Sequence, residues 1–493
     1  MKSLLFTCLF ALTACFVGAQ HNQYPILSQQ QMYQDYDTLV STLLQISPQP
    51  PFRKELTEFD ITRFYKQNRS KIKDIKTLQE FYLLIRSTST ANQDAHTGLM
   101  RAELMPADMM KSQGISDSAI SYIPAYAVWY AEPAIANHLN LQLSYVNGRY
   151  FNMRSFSYKN KIYKRGIELT GCNGKPIKTY VNELYPFLNM KWDVIHHCYF
   201  SESFFKSFNL SARDTLNLKF EGIPNDAAFG VADSVSFIGD GLATSFAPKE
   251  VVYLPDLKIL YIRMPAMSLP DTSFYPEQIL RYKNKAINKV VFDIRGNHGG
   301  SDWVWRSALS AIIDKPIIIT ETIIMNRSEK IKRLFTGQFD TSGIINVPLL
   351  GNKAFYISYH GNDTVPKSKS SIDYGGKIYV LQDKYIYSSA GAFSTFANMA
   401  SNFYTVGEHT GAQLGIGMNP AYFELPNSKI IYRVEPVIDY TDVEEASDIL
   451  HDRVKIPVSL DFQTLVELMT DEDRYSTTFL VVKDPYFKAV LKN

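Results

Sequence analysis

From Leu27 to about Ala91 apolar residues recur three and four positions apart, in QMYQDYDTLVSTLLQIS and again in ITRFYKQNRSKIKDIKTLQEFYLLIRSTS, with a Pro-rich break at residues 48–51. That spacing predicts a small helical bundle, and residues 20–110 are taken as an N-terminal helical domain closing on NQDAHTG, which carries His96. Over residues 116–246 the pattern shortens to runs such as SYIPAYAVWYA, LQLSYVNGRYFNM and TLNLKFEG between turn residues, which predicts a second, β-rich module. Within it KRGIELTGCNGKPIKTYVNEL reads as strand, Asn-Gly turn, strand and short helix. After Val251 strands and helices alternate, VVYLPDLKILYIRMP before FYPEQILRYKNKAI, so residues 251–493 are expected to form an α/β core.

Two stretches of that core carry candidate chemistry. VVFDIRGNHGG (290–300) is a β-branched run of the kind covered on both faces, and its glycines let backbone N–H groups turn into the open. The following SDWVWRSALSAII has helical spacing behind Ser301 and Asp302, both able to cap, so the free amides of a helix start face the same place. Half of an oxyanion hole has this form; so does an ordinary strand-to-helix turn. In the second stretch the strand KIYVLQ leads to Ser388 and Ser389, which open a helix of small and apolar residues. A serine there either caps the helix or presents a hydroxyl beside amides that stabilise an oxyanion.

Composition narrows the surroundings. At 493 residues, two or three domains are expected. The net charge of +2 falls to +1 without the leader's Lys2, and neither figure suggests a nucleic-acid or acidic-membrane partner. Lys2 followed by an apolar run from Leu4 to Val17 predicts a signal peptide spanning residues 1–19 and an exported protein, periplasmic, in the cell envelope or secreted. Cleavage after Ala19 is favoured; a lipoprotein box at residues 12–15 would instead leave Cys15 lipidated and attached to a membrane. Cys172 and Cys198 then remain, as one bridge or as buried thiols. No Cys/His spacing suits zinc, the adjacent His196 and His197 point in different directions, and neither metal nor cofactor is expected.

Three motifs together carry a resemblance. DAHTG (94–98), DIRGNHGG (293–300) and YSSAGAF (387–393) followed by GEHTG (407–411) stand in the order and spacing of the S41 peptidases, the tail-specific or C-terminal processing protease family. The chain looks closest to exported Bacteroidetes members with a tricorn-like Ser/His site. The resemblance implies a crotonase- or ClpP-like ββα core, a PDZ-like middle module, and a serine endopeptidase acting on a peptide or protein substrate. It implies Ser389 as nucleophile with Ser388 as its neighbouring control, and oxyanion donors at Ala390 and at Gly299 or Gly300.

The sequence departs from the tail-specific pattern at the base. Where that branch carries a lysine this chain has Gln413, which accepts no proton. By similarity to tricorn-like members His96 takes the role, oriented by Glu445, Asp452 or Asp94. His298 inside the glycine turn and the eroded tail element VKIPV (454–458) are further departures. They keep open a second reading, a non-catalytic binding protein of the cell envelope on the same fold. A third makes the aromatic-rich middle module the functional part, binding peptides or glycans. Oligomeric state is left open.

Overall fold

The computed structural model describes residues 24–100, 106–136, 138–224, 226–239, 241–411 and 420–493. The leader, with Cys15 and Ala19, and Gln413 lie outside them. No helix among the described residues is long and apolar enough to cross a membrane.

The N-terminal pattern folds as its period requires: α1 (Gln29–Ile46), α2 (Gln49–Thr57), α3 (Ile61–Lys71) and α4 (Leu78–Thr90). Capping boxes, Ser28 with Gln31 and Thr77 with Glu80, begin α1 and α4 and satisfy amides that the helix itself leaves free. After α4 comes a two-residue strand, β1 (Gly98–Leu99).

Residues 121–131, read as a strand, lie instead in the helix α5 (Asp117–Ala136). Its aromatic and β-branched residues favour a strand locally, but Ala119, Ile123 and Tyr126 fall at helical spacing and all three are buried. Tertiary burial overrides the local preference. The rest of the middle segment is antiparallel: Leu143–Val146, Arg149–Asn152, Glu168–Cys172, Thr215–Phe220 and Ala227–Gly230 form successive neighbours in one sheet. Asn147-Gly148 and Asn173-Gly174, all at positive φ, make its tight turns. Cys172 and Cys198 are free, buried thiols.

The core is a six-stranded sheet ordered β2 (Glu250–Leu254), β3 (Ile259–Arg263), β4 (Lys289–Asp293), β5 (Lys377–Gln382), β6 (Phe403–Gly407) and a final edge strand, Ile456–Pro457, supplied by VKIPV. All pairs after the first are parallel. Side chains alternate between two apolar layers: Leu260, Val290, Phe292, Ile378 and Val380 enter one, Tyr261, Val291, Tyr379, Leu381 and Val406 the other. Covering both faces explains the unbroken apolar runs and contributes roughly 1.5–3 kcal/mol for each fully buried large side chain. α6 (Asp302–Ser310) and α7 (Ser389–Met399) follow β4 and β5. Another cluster joins residues of α1, α4, the middle sheet and the strand β7 (Ile431–Val434), so the three sequence segments share a core.

Buried charge fixes the end of β4. Arg295 pairs with Asp293 at 2.6 Å and with Asp484 at 2.7 Å. Burial alone would raise the Asp293 carboxyl, but Arg295, then Arg263 and the Tyr261 hydroxyl, pull it down to about 2. A depressed carboxyl stabilises the fold fully above its unfolded value, 3.8, and loses that contribution as pH falls toward about 2. Arg295→Ala takes the nearest cation from two buried carboxylates, Asp293 keeping Arg263 and the Tyr261 hydroxyl, and is expected to destabilise the protein by about 3 kcal/mol. A thermal melt at pH 7 checks it; an unchanged Tm would mean the cluster carries no net stability.

Candidate active site

The turns after β4 and β5 meet at the carboxyl end of the sheet. Asn297, buried in the first turn, donates from Nδ2 to the Met264 carbonyl, accepts the Gly299 N–H at Oδ1, and accepts the Tyr387 N–H at its own carbonyl. Gly299 has φ +92, and a Cβ there would stand 2.6 Å from the Tyr387 carbonyl, 2.8 Å from Ser388 Cβ and 2.8 Å from the Ser389 nitrogen. Only glycine permits this approach. Gly299→Ala should displace the serine turn and lower reactivity of the site by on the order of a hundredfold. Gly296→Ala, at φ +71 with nothing within 4 Å, should cost only about 1–2 kcal/mol of stability. Serine-directed labelling rates of the two variants check this; equal rates would mean that the close packing at Gly299 does not govern the reactivity of the turn.

The two serines differ. Ser389 is 1% exposed, and its hydroxyl donates to Asp302 Oδ1 at 2.5 Å, tying the starts of α6 and α7 together. Ser388, half-buried, sits at φ 56 and ψ −123 with no side-chain capping bond. For a residue with a Cβ this backbone is uncommon and strained, and such residues collect at active sites. Of the expected oxyanion donors, Gly299 gives its N–H to Asn297 and Ala390 gives its N–H to the Tyr387 carbonyl at 3.2 Å. The N–H groups of Gly300 and Ser389 donate to no described group. His298 is exposed.

The N-terminal loop reaches this place. Tyr387 donates its hydroxyl to the Asp94 carbonyl at 3.0 Å, and its ring centroid lies 5.2 Å from that of His96. Asp94 is an Asx-turn residue, not the partner of the imidazole: Oδ1 accepts the backbone N–H groups of His96 and Thr97, and Oδ2 accepts the Thr97 hydroxyl. His96 Nδ1 lies 2.9 Å from Oε2 of Glu435, whose side chain is fully buried. β1 runs antiparallel to β7, Gly98 opposite Arg433, and the same register two residues further sets His96 opposite Glu435. Thr97 Oγ1 accepts the Glu435 N–H at 3.0 Å and closes the pair.

Glu435 therefore stands where Glu445, Asp452 or Asp94 was expected. Glu445 is exposed in a turn whose amides donate to Asp448, and the side chain of Asp452 lies outside the described residues. Burial pulls the imidazole down to about 4 and, reinforced by Asp94, pushes the Glu435 carboxyl up. The segment before the serines is held from the middle module: Tyr385 donates to both oxygens of Glu202 at 2.7 Å, and Lys384 stands 3.2 Å from Glu202 and donates to the Tyr145 carbonyl. Ser388, Glu435, Asp302 and Asn297 thus join Gly299, Gly300, Ser389 and His96 around one junction.

Residues 258–441 match the family model of peptidase family S41. The matched segment takes in the turns after β4 and β5, both serines and Glu435, and leaves His96 outside it. The family that this model describes is one of peptidases. Among solved structures, mature CPAF is similar over 94% of this chain and 99% of its own, at 13% identity and a TM-score of 0.57. Mature CPAF complexed with lactacystin is similar over 94% and 100%, at 12% identity and a TM-score of 0.57. Identities this low establish a shared mixed helix/sheet fold. Among curated proteins none matches the sequence.

Proposed function

We propose that the protein is an exported serine endopeptidase in which Ser388, in place of the neighbouring Ser389, is the nucleophile, His96 the general base and Glu435 the group that orients it. The observation that carries this reading is the His96–Glu435 pair at 2.9 Å, packed against the residue that precedes Ser388. With Glu435 ionised and the imidazole neutral, the Nδ1 proton is directed at the carboxylate and Nε2 is left to accept a proton. Ser388 Oγ attacks the scissile carbonyl carbon as its proton passes to Nε2. The C–N bond then breaks as His96 returns that proton to the leaving amine, and water repeats the sequence to release the acid. The N–H groups of Ser389 and Gly300 are the proposed oxyanion donors, aimed at charge that develops only in the transition state.

The crotonase-like description of the core and the PDZ-like description of the middle module belong to the same proposal. The strand, Asn-Gly turn, strand and helix at 168–183 support the second. The test is fluorophosphonate labelling of the purified protein together with hydrolysis of an internally quenched peptide. Labelling without hydrolysis would leave a reactive serine without the protease; absence of both would favour the non-catalytic binding protein.

A further inference from the structure

We infer that Arg53, buried on α2, is a positioning residue for the proposed base, anchoring the loop that aims His96; the inference deepens the protease reading and rests on it. Successive carbonyls of that loop are each held by a side chain from a different element. The Gln93 carbonyl accepts from the Arg53 guanidinium at 2.9 Å, the Asp94 carbonyl from the Tyr387 hydroxyl at 3.0 Å, and the Ala95 carbonyl from Arg433 on β7 at 3.3 Å. The Gln93 side chain ties the same loop to the middle module. Its amide nitrogen donates to the Tyr185 and Leu188 carbonyls at 2.5 and 2.7 Å, and its oxygen accepts the Met190 N–H at 2.8 Å.

The backbone gives these restraints a purpose. Gln93 has φ 53 and Ala95 φ 55, so a residue with a Cβ stands in the left-handed region on each side of Asp94. That region is unfavourable for such residues, and the conformation persists only where the surroundings over-determine it. After His96 the chain is fixed by Thr97 and by the pairing of β1 with β7. Before His96 it is held by the carbonyl contacts and the Gln93 side chain. Ala95 directly precedes the base, so a return of its φ to the ordinary negative range re-aims the imidazole and breaks its alignment with Glu435. Tyr387 packs beside the His96 ring and Arg433 opposes charge on it, whereas Arg53 bonds to the loop. Arg53 is 1% exposed, its enclosed Nε meets no partner, and among the described residues it forms no ion pair. A guanidinium is costly to bury, and an apolar side chain of similar length would fill the same space at less cost. What the guanidinium adds is a donor that reaches from α2 to the loop.

The test compares full-length native, Arg53→Met and Arg53→Lys proteins. Methionine keeps an apolar stem and removes every donor; lysine keeps a cation that donates. In Arg53→Met, well below its Tm, fluorophosphonate labelling and kcat for the quenched peptide are expected to fall about a hundredfold, with KM within about threefold of native. Arg53→Lys is expected to recover about tenfold or more of that loss. Amide exchange read by mass spectrometry should quicken about tenfold or more in residues 92–98 of Arg53→Met and stay native in residues 289–293. A merely structural arginine would lower Tm and leave labelling per folded molecule unchanged. If Arg53→Met does not fold, Arg53→Gln, whose amide falls two bonds short of the Gln93 carbonyl, takes its place with the same expectations. Labelling within about threefold of native, or no recovery with lysine, overturns the inference and leaves the protease standing. A native protein that does not label sinks the protease instead. Exchange then still reports on the anchor, and a native rate in residues 92–98 of Arg53→Met overturns it.

Discussion

Ser388→Ala is expected to abolish fluorophosphonate labelling and to lower kcat by on the order of 10⁴-fold or more, whereas Ser389→Ala keeps labelling within about tenfold of the native protein. The asymmetry follows from what each hydroxyl touches. Ser389 is buried and already donates to Asp302, so its loss removes a structural bond and should cost about 1–2 kcal/mol of stability. Ser388 sits at the strained point of the turn, its Cβ against Gly299, one residue after the tyrosine that touches His96. Mass spectrometry of the labelled peptide locates the adduct. An adduct on Ser389, lost in Ser389→Ala and retained in Ser388→Ala, would return the nucleophile to Ser389.

Glu435→Gln is expected to lower kcat/KM by on the order of 10³- to 10⁴-fold with the fold intact, because an amide no longer fixes which imidazole nitrogen carries the proton. The pH profile supplies a second readout. Adding a proton to the native pair, on either partner, destroys the base: an imidazolium has no free nitrogen, and a protonated carboxyl turns Nδ1 into the acceptor. Activity therefore rises with pH through one apparent value that belongs to the pair. Burial of the Glu435 carboxyl sets that value above the ordinary carboxylate range. Without the carboxyl only the imidazole titrates, and burial holds it below its ordinary value, so the acid limb should move down. Labelling rates between pH 3 and pH 8 check the shift; an acid limb that stays in place would separate Glu435 from the base.

Much of the core could be read along the chain. A run such as Val290 to Phe292 belongs on a strand with apolar layers on both sides, and the glycines after it announce a turn of exposed amides. Reading α5 as a strand failed because aromatic content outweighed a helical burial pattern that only the packing partners reveal.

The site divides along the same line. Local spacing marked His96, the glycine turn and the pair of serines, because each lies in a short motif whose backbone chemistry is set by its neighbours. Two choices were invisible there. Which serine hydroxyl is held depends on Asp302, 87 positions away, and which carboxylate meets His96, one 339 positions away, depends on β1 pairing with β7. Sequence fixes a turn because its φ and ψ are decided within a few residues. A contact between distant strands is decided by register and burial, and those exist only once the chain has folded.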